Sequence, residues 1–232
     1  MLRINNLNGF GAGGSLSLTQ KGYGYIETAT TGNMTMSYAN VQSGSAPSAG
    51  DLVVWMVGAV DTSAQAINDM SGSSWTQSRG YSNPICASVL AKVVTADDVA
   101  SPGTVVTAPT DGAAAMWIAY TVSGSVSSLG AGGVSIVYGG TGDPGDASLD
   151  ASSFTRAVLL SFGLASGTPS LAWTGATADI QFTRTNVTYV GGSVSGDWEW
   201  MAKLSAPGDS ITVQKGDDGS ANTIGVGYIS IT

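Results

Sequence analysis

Histidine is absent from the 232-residue chain, and cysteine occurs once. The first absence excludes Ser-His-Asp and Cys-His catalysis and any histidine-ligated zinc or iron site. The second excludes an intrachain disulfide and thiolate metal clusters. Cys86, in Asn83-Pro84-Ile85-Cys86-Ala87, has no candidate base beside it and reads as an inert, partly buried thiol. Stability must then come from packing and from self-association, which suits assembly in a reducing cytoplasm and service outside the cell. Charge is also scarce: 10% of residues are charged, against about 25% in an ordinary soluble domain. The eight Lys and Arg are scattered singly, so no cationic cluster can displace counterions from phosphates. Binding to nucleic acid or to an anionic membrane is not expected. Long apolar runs are missing as well. The longest, Leu52 to Val60, is too short to span a bilayer, and Met1-Leu2-Arg3-Ile4-Asn5-Asn6 lacks the apolar core of a signal peptide, so a soluble chain is expected.

What fills the space is small and polar or β-branched. The chain holds 33 Gly and 43% hydrophobic residues, enough for a full core. The net charge is −8, and fourteen of the sixteen acidic residues are Asp, most of them in Gly- or Pro-rich turn segments. An apolar i, i+3, i+4, i+7 pattern persists nowhere over several turns. Thr62 to Met70 allows one short helix and Ala96 to Val99 a single turn. Elsewhere β-branched and aromatic runs alternate with Gly, Ser, Asn, Asp and Pro, the strand-and-turn signature. Strands are expected at 2–6, 15–19, 23–29, 33–41, 51–60, 87–95, 103–108, 113–122, 134–138, 155–165, 178–184, 187–194, 197–205, 209–214 and 222–231. Met34, Met36 and Tyr38 share one face of theirs, and Ile211 and Val213 one face of another. Leu52 to Val60 is apolar throughout, so it should be a central strand covered on both faces.

A weak internal repeat organises these strands. Asp51 to Ala59, Ser74-Trp75-Thr76, Val89 to Val94 with Ala91-Lys92, Thr104 to Thr107, Asp111-Gly112 and Ala115 to Val122 recur in order. The second series is Arg156 to Ala165, Ala172-Trp173-Thr174, Trp200 to Ser205 with Ala202-Lys203, Ser210 to Val213, Asp218-Gly219 and Ile224 to Ile231. In each series a tyrosine, Tyr120 or Tyr228, follows the Asp-Gly turn. The expected fold is all-β, a jelly-roll-like antiparallel β-sandwich with a weak internal two-fold repeat. Residues 1–32 form an N-terminal arm and first strands. Residues 33–232 form a single sandwich of half-repeats at about 33–124 and 134–232, crossing over through 125–154.

Few residues offer chemistry. Asp197 and Glu199, in Gly196-Asp197-Trp198-Glu199-Trp200, share one strand face about 7 Å apart, a spacing open to an inverting glycosidase pair. The plainer expectation puts both carboxylates in solvent and both tryptophans in the core. Asp143, Asp146 and Asp150, with Asp217 and Asp218, are the places to look for calcium, but turn-forming Asp accounts for them without metal. No catalytic residue, cofactor or metal ligand is assigned. Trp55, Trp117, Trp200, Tyr120 and Tyr228 sit within apolar strands and read as core. Tyr23, Tyr25, Tyr81 and Tyr189 are freer and are the candidates for glycan contact. Leu2, Ile4, Leu7 and Phe10 precede and flank a Gly-rich stretch, Gly9 to Gly14. They are the candidate docking arm, able to add a strand to a neighbouring subunit's sheet or simply to supply the sandwich's first strand.

The run Gly50-Asp51-Leu52-Val53-Val54-Trp55, then Trp75-Thr76, then Ala91-Lys92-Val93-Val94-Thr95-Ala96-Asp97-Asp98 leading to Gly103-Thr104-Val105-Val106-Thr107, then Met116-Trp117-Ile118-Ala119-Tyr120, resembles the diffuse family of jelly-roll-like β-sandwich domains found in bacteriophage virion proteins and some bacterial surface proteins. The resemblance spans about 33–231, and its motifs are structural. It implies a non-enzymatic virion protein assembled in the host cytoplasm, a capsid decoration or head-fibre component that self-associates and packs on the major capsid protein or other virion subunits. The alternatives behind it are a tail-tip or receptor-binding module that contacts host glycans, and a carbohydrate-binding module of a bacterial surface protein.

Overall fold

The computed structural model describes residues 15–28, 34–60, 74–82, 85–105, 112–140, 145–165, 170–187, 196–205, 209–215 and 222–232. Along them run β1 (Ser17–Thr28), β2 (Met34–Thr35), β3 (Val41–Gly44), β4 (Leu52–Val60), β5 (Thr76–Ser82), β6 (Ile85–Val93), the helix α1 (Ala96–Ala100), β7 (Thr104–Val105), β8 (Gly112–Ser123), β9 (Leu129–Gly140), β10 (Ala147–Asp150), β11 (Ala157–Ala165), β12 (Leu171–Thr174), β13 (Ile180–Val187), β14 (Gly196–Leu204), β15 (Ser210–Lys215) and β16 (Asn222–Ile231). All pairings are antiparallel, so the chain is an all-β antiparallel sandwich. The strand expected at 2–6 and the helix at Thr62 to Met70 lie outside the described residues.

Two large sheets form the centre, in the orders β3-β1-β8-β4-β6-β5 and β13-β14-β11-β16-β9. Their facing sides make one core from Leu52, Val54, Met56, Met116, Ile118, Leu160, Phe162, Trp198, Trp200 and Ile229, among others. The other faces are also apolar. Trp55, Trp117, Val57 and Leu90 pack under the β2-β7 ladder with Met34, Met36 and Tyr38. Leu159, Met201, Ile224 and Val226 pack under a β10-β15-β12 sheet with Leu149, Ile211 and Val213. The molecule therefore has four layers. A single two-layer sandwich with one sheet from each half, as expected from the repeat, would leave one face of β4 and one of β11 in water. Both strands are apolar on successive residues, and only cover on both sides removes that surface.

Each half is a jelly roll of its own. In the second half the strands in sequence order are β9 to β16, and the large sheet joins the first, eighth, third and sixth of them. The small sheet joins the second, seventh and fourth, the jelly-roll arrangement of two facing sheets. The first half repeats this with β1-β8-β4-β6 and β2-β7, and in both halves the remaining long strand (β5, β13) extends the large sheet past the sixth. The halves begin at β1 and β9, upstream of the limits at 33 and 134 read from the repeat, because the Gly-rich residues of 129–133 carry little strand signal yet pair along β16.

Register identifies which repeat marks are true equivalents. Val53 lies between Lys92 and Ala119, and Leu159 between Lys203 and Tyr228. The two lysines thus correspond; Trp75 and Trp173 each pack into the outer layer of their half, but Trp173 sits within the small-sheet strand β12 and Trp75 just before the large-sheet strand β5. The tyrosines do not: Tyr228 corresponds to Ala119 and turns to the outer layer, while Tyr120 turns to the central one.

The two large sheets meet through close aromatic contact. Gly58 of β4 lies directly under the Trp198 ring of the facing sheet, and within the second sheet the Phe162 ring lies over Gly225, its neighbour across the β11-β16 ladder. Neither site has room for a Cβ, so glycine at these positions lets the aromatic rings of β14 and β11 fill the seam.

Candidate functional site

The carboxylate pair comes first, because it is the one enzymatic option left open by the composition. Strand alternation turns Trp198 and Trp200 into the central core, both fully buried, and sends Asp197, Glu199 and Met201 the other way. That other side is not solvent. Glu199 is only 3% exposed, because the entry to β12 passes over it. The Leu171 backbone N–H donates to Oε2 at 2.8 Å and the Gln181 amide to Oε1 at 2.6 Å. The solvent-facing expectation for Glu199 is thus corrected: β12 covers it and both its oxygens are bonded. A buried donor left unsatisfied costs about 1–3 kcal/mol. Glu199→Gln, which turns an amide NH2 toward one of these donors, should lower unfolding free energy by about that much in urea titrations.

A second buried carboxylate anchors the helix α1. Thr95 caps α1, accepting the Asp98 N–H on its hydroxyl, while Asp98 Oδ2 accepts the Thr95 N–H at 2.8 Å and its hydroxyl at 2.7 Å, a capping box. Lys92 reaches Asp98 Oδ1 at 2.6 Å. Burial pushes the Asp98 carboxyl up, but the Lys92 bond, the two Thr95 bonds and the Lys92 charge outweigh it and hold the group below the ordinary carboxylate range. A carboxyl depressed on folding stabilises above its unfolded pKa, and that contribution disappears as pH falls through the folded value. Thermal melting temperature should therefore fall as pH drops below about 4. Asp98→Asn should show a lower melting temperature at neutral pH and a shallower acid decline; equal slopes would sink the assignment.

The Asp-rich turns divide. Asp146 and Asp150 are exposed, and the Ser152 hydroxyl, then the Ser152 N–H at 2.9 Å from Oδ1, hold the Asp150 carboxyl below its ordinary range. Asp143, Asp217 and Asp218 lie outside the described residues. Among the described residues no group of three or more His, Cys, Asp or Glu side chains is placed to hold a metal. Cys86 is buried in the outer layer of the first half, deeper than the partly buried position expected for it.

The glycan candidates also divide. Tyr189 lies outside the described residues, as do the arm residues Leu2, Ile4, Leu7 and Phe10. Tyr81, on the edge strand β5, is 40% exposed. Tyr23 and Tyr25 are half-buried at a lip where β1 crosses over β13. Tyr25 stacks on Phe182 at 5.3 Å, Tyr23 meets the same ring edge-on at 6.2 Å, and the Arg184 guanidinium lies 5.4 Å from the Tyr25 ring centre. The stack continues inward through Trp200 at 6.0 Å from Phe182, Trp198 at 5.7 Å from Trp200, and Phe162 at 5.3 Å from Trp198. Arg184 bridges to Glu27 with Nε and Nη2 on the two carboxylate oxygens, at 3.1 and 3.0 Å. These side chains are about a third exposed, so the ion pair contributes at most about 1 kcal/mol. The sequence offered no sign of Phe182, Arg184 and Glu27 acting with the tyrosines, since 157 residues separate the ion pair.

Two shallow depressions lie on the described surface. One of about 480 Å³ lies between Thr35–Ala39, Ala46 and Val99–Pro102, beside Tyr38. Behind it Tyr38, Trp55, Trp75 and Trp117 carry buried donors with no hydrogen-bond partner among the described residues. Burial raises the Tyr38 hydroxyl pKa. The second half resolves the same problem differently. There Trp173 donates to Ser161 at 2.8 Å, and Ser161 occupies the position of Trp55. The other depression, of about 320 Å³, lies where β1 begins, between Ser15, Leu16, Thr155, Arg156, Ile231 and Thr232.

The two sides of the sandwich differ. On one, β5 lies against β9, with Gly80 tight on the Val134 backbone, so the edges of the two sheets cover each other. On the other, β1 lies over β13 and β3 projects beyond both, with all four of its residues exposed. Comparison with family models, with curated proteins and with solved structures finds no match for the chain.

Proposed function

We propose that the chain is a non-enzymatic structural protein of a bacteriophage particle, a capsid decoration or head-fibre component that works by packing rather than by chemistry. The observation that carries this reading is the disposition of the reactive groups. Glu199 and Asp98 are engaged in holding β12 and α1, and Cys86 lies in an outer core. Around them stands a four-layer block with one side closed edge to edge, β5 against β9. A thick β-body with apolar cores in three layers of contact suits repeated attachment to neighbouring subunits, and its excess negative charge limits adhesion between particles. The family resemblance of the Gly50–Tyr120 motifs belongs to this proposal and supports the same class.

Quantitative mass spectrometry of purified particles tests it. Hundreds of copies per particle are expected of a decoration; a handful would move the protein to the tail, and absence would end the reading. A second reading, glycan contact by a tail-tip or surface module, is favoured by the exposed Tyr81 and the partly open Tyr25. Glycan-array binding that Tyr81→Ala abolishes would select it.

A further inference from the structure

The outer core of the first half is rich in buried donors. Tyr38, Trp55, Trp75 and Trp117 share it, and among the described residues none of their hydroxyl or indole hydrogens has a partner. Three of them form a tight group: the Tyr38 ring stacks on Trp55 at 5.6 Å and meets Trp117 edge-on at 5.5 Å. A buried donor without an acceptor costs free energy, so such groups are normally bonded to protein, water or a ligand. The second half supplies an acceptor of its own, since Trp173 donates to Ser161 there. Register puts Trp55 at the place of Ser161: Trp55 lies between Leu90 and Trp117, and Ser161 between Met201 and Val226. In the first half the position of that acceptor is therefore held by one more donor.

We infer that the depression of about 480 Å³ beside this group is a binding site for a neutral sugar ring. Tyr38 joins the two: it lines the depression, is 8% exposed, and carries one of the unpartnered donors. The volume falls within the usual small-molecule range of about 300–1,000 Å³. The walls select the chemistry of the ligand. Met36, Val99 and Pro102 are apolar, Thr35, Ser37 and Ser101 bring hydroxyls, and no described lining residue is charged. The helix α1, which supplies Val99 to the wall, carries Asp97 and Asp98 in its first turn and no base in its last, which disfavours an anion. A cluster of donors turns away a cation. A neutral sugar offers what is missing, with ring and hydroxyl oxygens to accept and a C–H face to lie on the aromatic and aliphatic wall. The wall can part to admit it. β2 and β7 pair over two residues each, backed by the Met36 N–H bond to Gly103 O at 3.0 Å, so bringing a sugar oxygen to the Tyr38 hydroxyl disturbs only a short ladder. In the second half the three-stranded β10-β15-β12 sheet covers the outer core instead. The site is separate from Tyr81 and Tyr25, and it goes beyond the packing role without depending on it.

Heteronuclear NMR of the full chain tests it, because each of the six tryptophans gives its own indole N–H signal. Glucose, galactose and N-acetylglucosamine are the probes, each titrated to about 50 mM. With at least one of them the Trp55 and Trp117 signals should shift saturably, half-complete at about 10 mM or below. Those of Trp198 and Trp200, buried in the central core, should stay in place. Tyr38→Phe should weaken the binding about three- to tenfold. Without sugar this variant should melt no lower than the parent, because the hydroxyl it removes has no partner to lose. Ala39→Trp, at an exposed position of the wall, should abolish binding by filling the depression. Tyr81→Ala should leave it unchanged, which separates this site from glycan contact on β5. No shift with any of the three sugars, equal shifts at Trp198 and Trp200, binding that Tyr38→Phe and Ala39→Trp leave intact, or binding that Tyr81→Ala removes would each overturn the site. Particle mass spectrometry remains a separate readout, so either result can fail without the other.

Discussion

Trp198→Ala should remove about 3–5 kcal/mol of unfolding free energy, a large fraction of the roughly 5–15 kcal/mol that holds an ordinary domain folded. Trp198 is fully buried, lies on Gly58 of the facing sheet, and is stacked between Phe162 and Trp200. Truncation opens a cavity at the seam joining the two halves, and glycine on the opposite side has no side chain with which to refill it. The size of the loss matters less than its distribution. Each half has its own two-sheet core, yet the shared central layer draws on both. If that layer couples them, equilibrium denaturation followed by near-UV and far-UV circular dichroism will show one transition, displaced as a whole. Two separate transitions with only the later residues shifted, or a loss under about 1 kcal/mol, would mean that the halves stand independently.

Gly58→Val is the converse experiment, and we expect it to cost at least about 3 kcal/mol, the upper end for overpacking. A Cβ at Gly58 collides with the six-membered ring of Trp198. β4 is hydrogen-bonded on both sides, to β6 and β8, so it cannot shift away without breaking two ladders. The decisive form is a double-mutant cycle. If the clash is with Trp198 itself, combining Gly58→Val with Trp198→Leu should recover about 1–3 kcal/mol relative to the sum of the single changes. Additive losses, measured by urea denaturation, would place the strain elsewhere in β4.

Much of the fold could be read from residue order. Leu52 to Val60, with no polar residue, required a strand buried on both faces. That requirement already implied more than two layers, although the repeat taken alone suggested a single sandwich. The Ala-Lys marks proved to be structural equivalents, each lysine standing opposite the same position of the neighbouring central strand, whereas the Trp-Thr marks fall on a small-sheet strand in one half and before a large-sheet strand in the other. The tyrosine mark failed by one position. A one-residue slip sends a strand side chain to the opposite face, and the bulges in the pairing of β1 and β9 let that slip occur without disturbing the rest. Strand β5 was not legible, since Gln77, Ser78, Arg79 and Gly80 read as loop. They form a strand because β6 offers a ladder and β9 lies alongside.

The site residues show the same division. Alternation correctly separated Trp198 and Trp200 from Asp197 and Glu199, but it could not reveal that β12 would lie over the carboxylate side. Spacing raised Tyr23 and Tyr25, but not the Phe182 ring and Arg184–Glu27 bridge that meet them from the other half.

The sequence by itself determined the chemistry and the class: no imidazole, one thiol, few charges, strand periodicity and a duplicated order of strands. These follow from residue identity and from neighbours along the chain, which a linear reading contains. Tertiary structure decided how many layers the halves make, which glycine receives which ring, where Glu199 is sealed, and which edges of the two large sheets meet. Those outcomes depend on register and on the closing of faces between segments more than a hundred residues apart, and local preference carries no information about either.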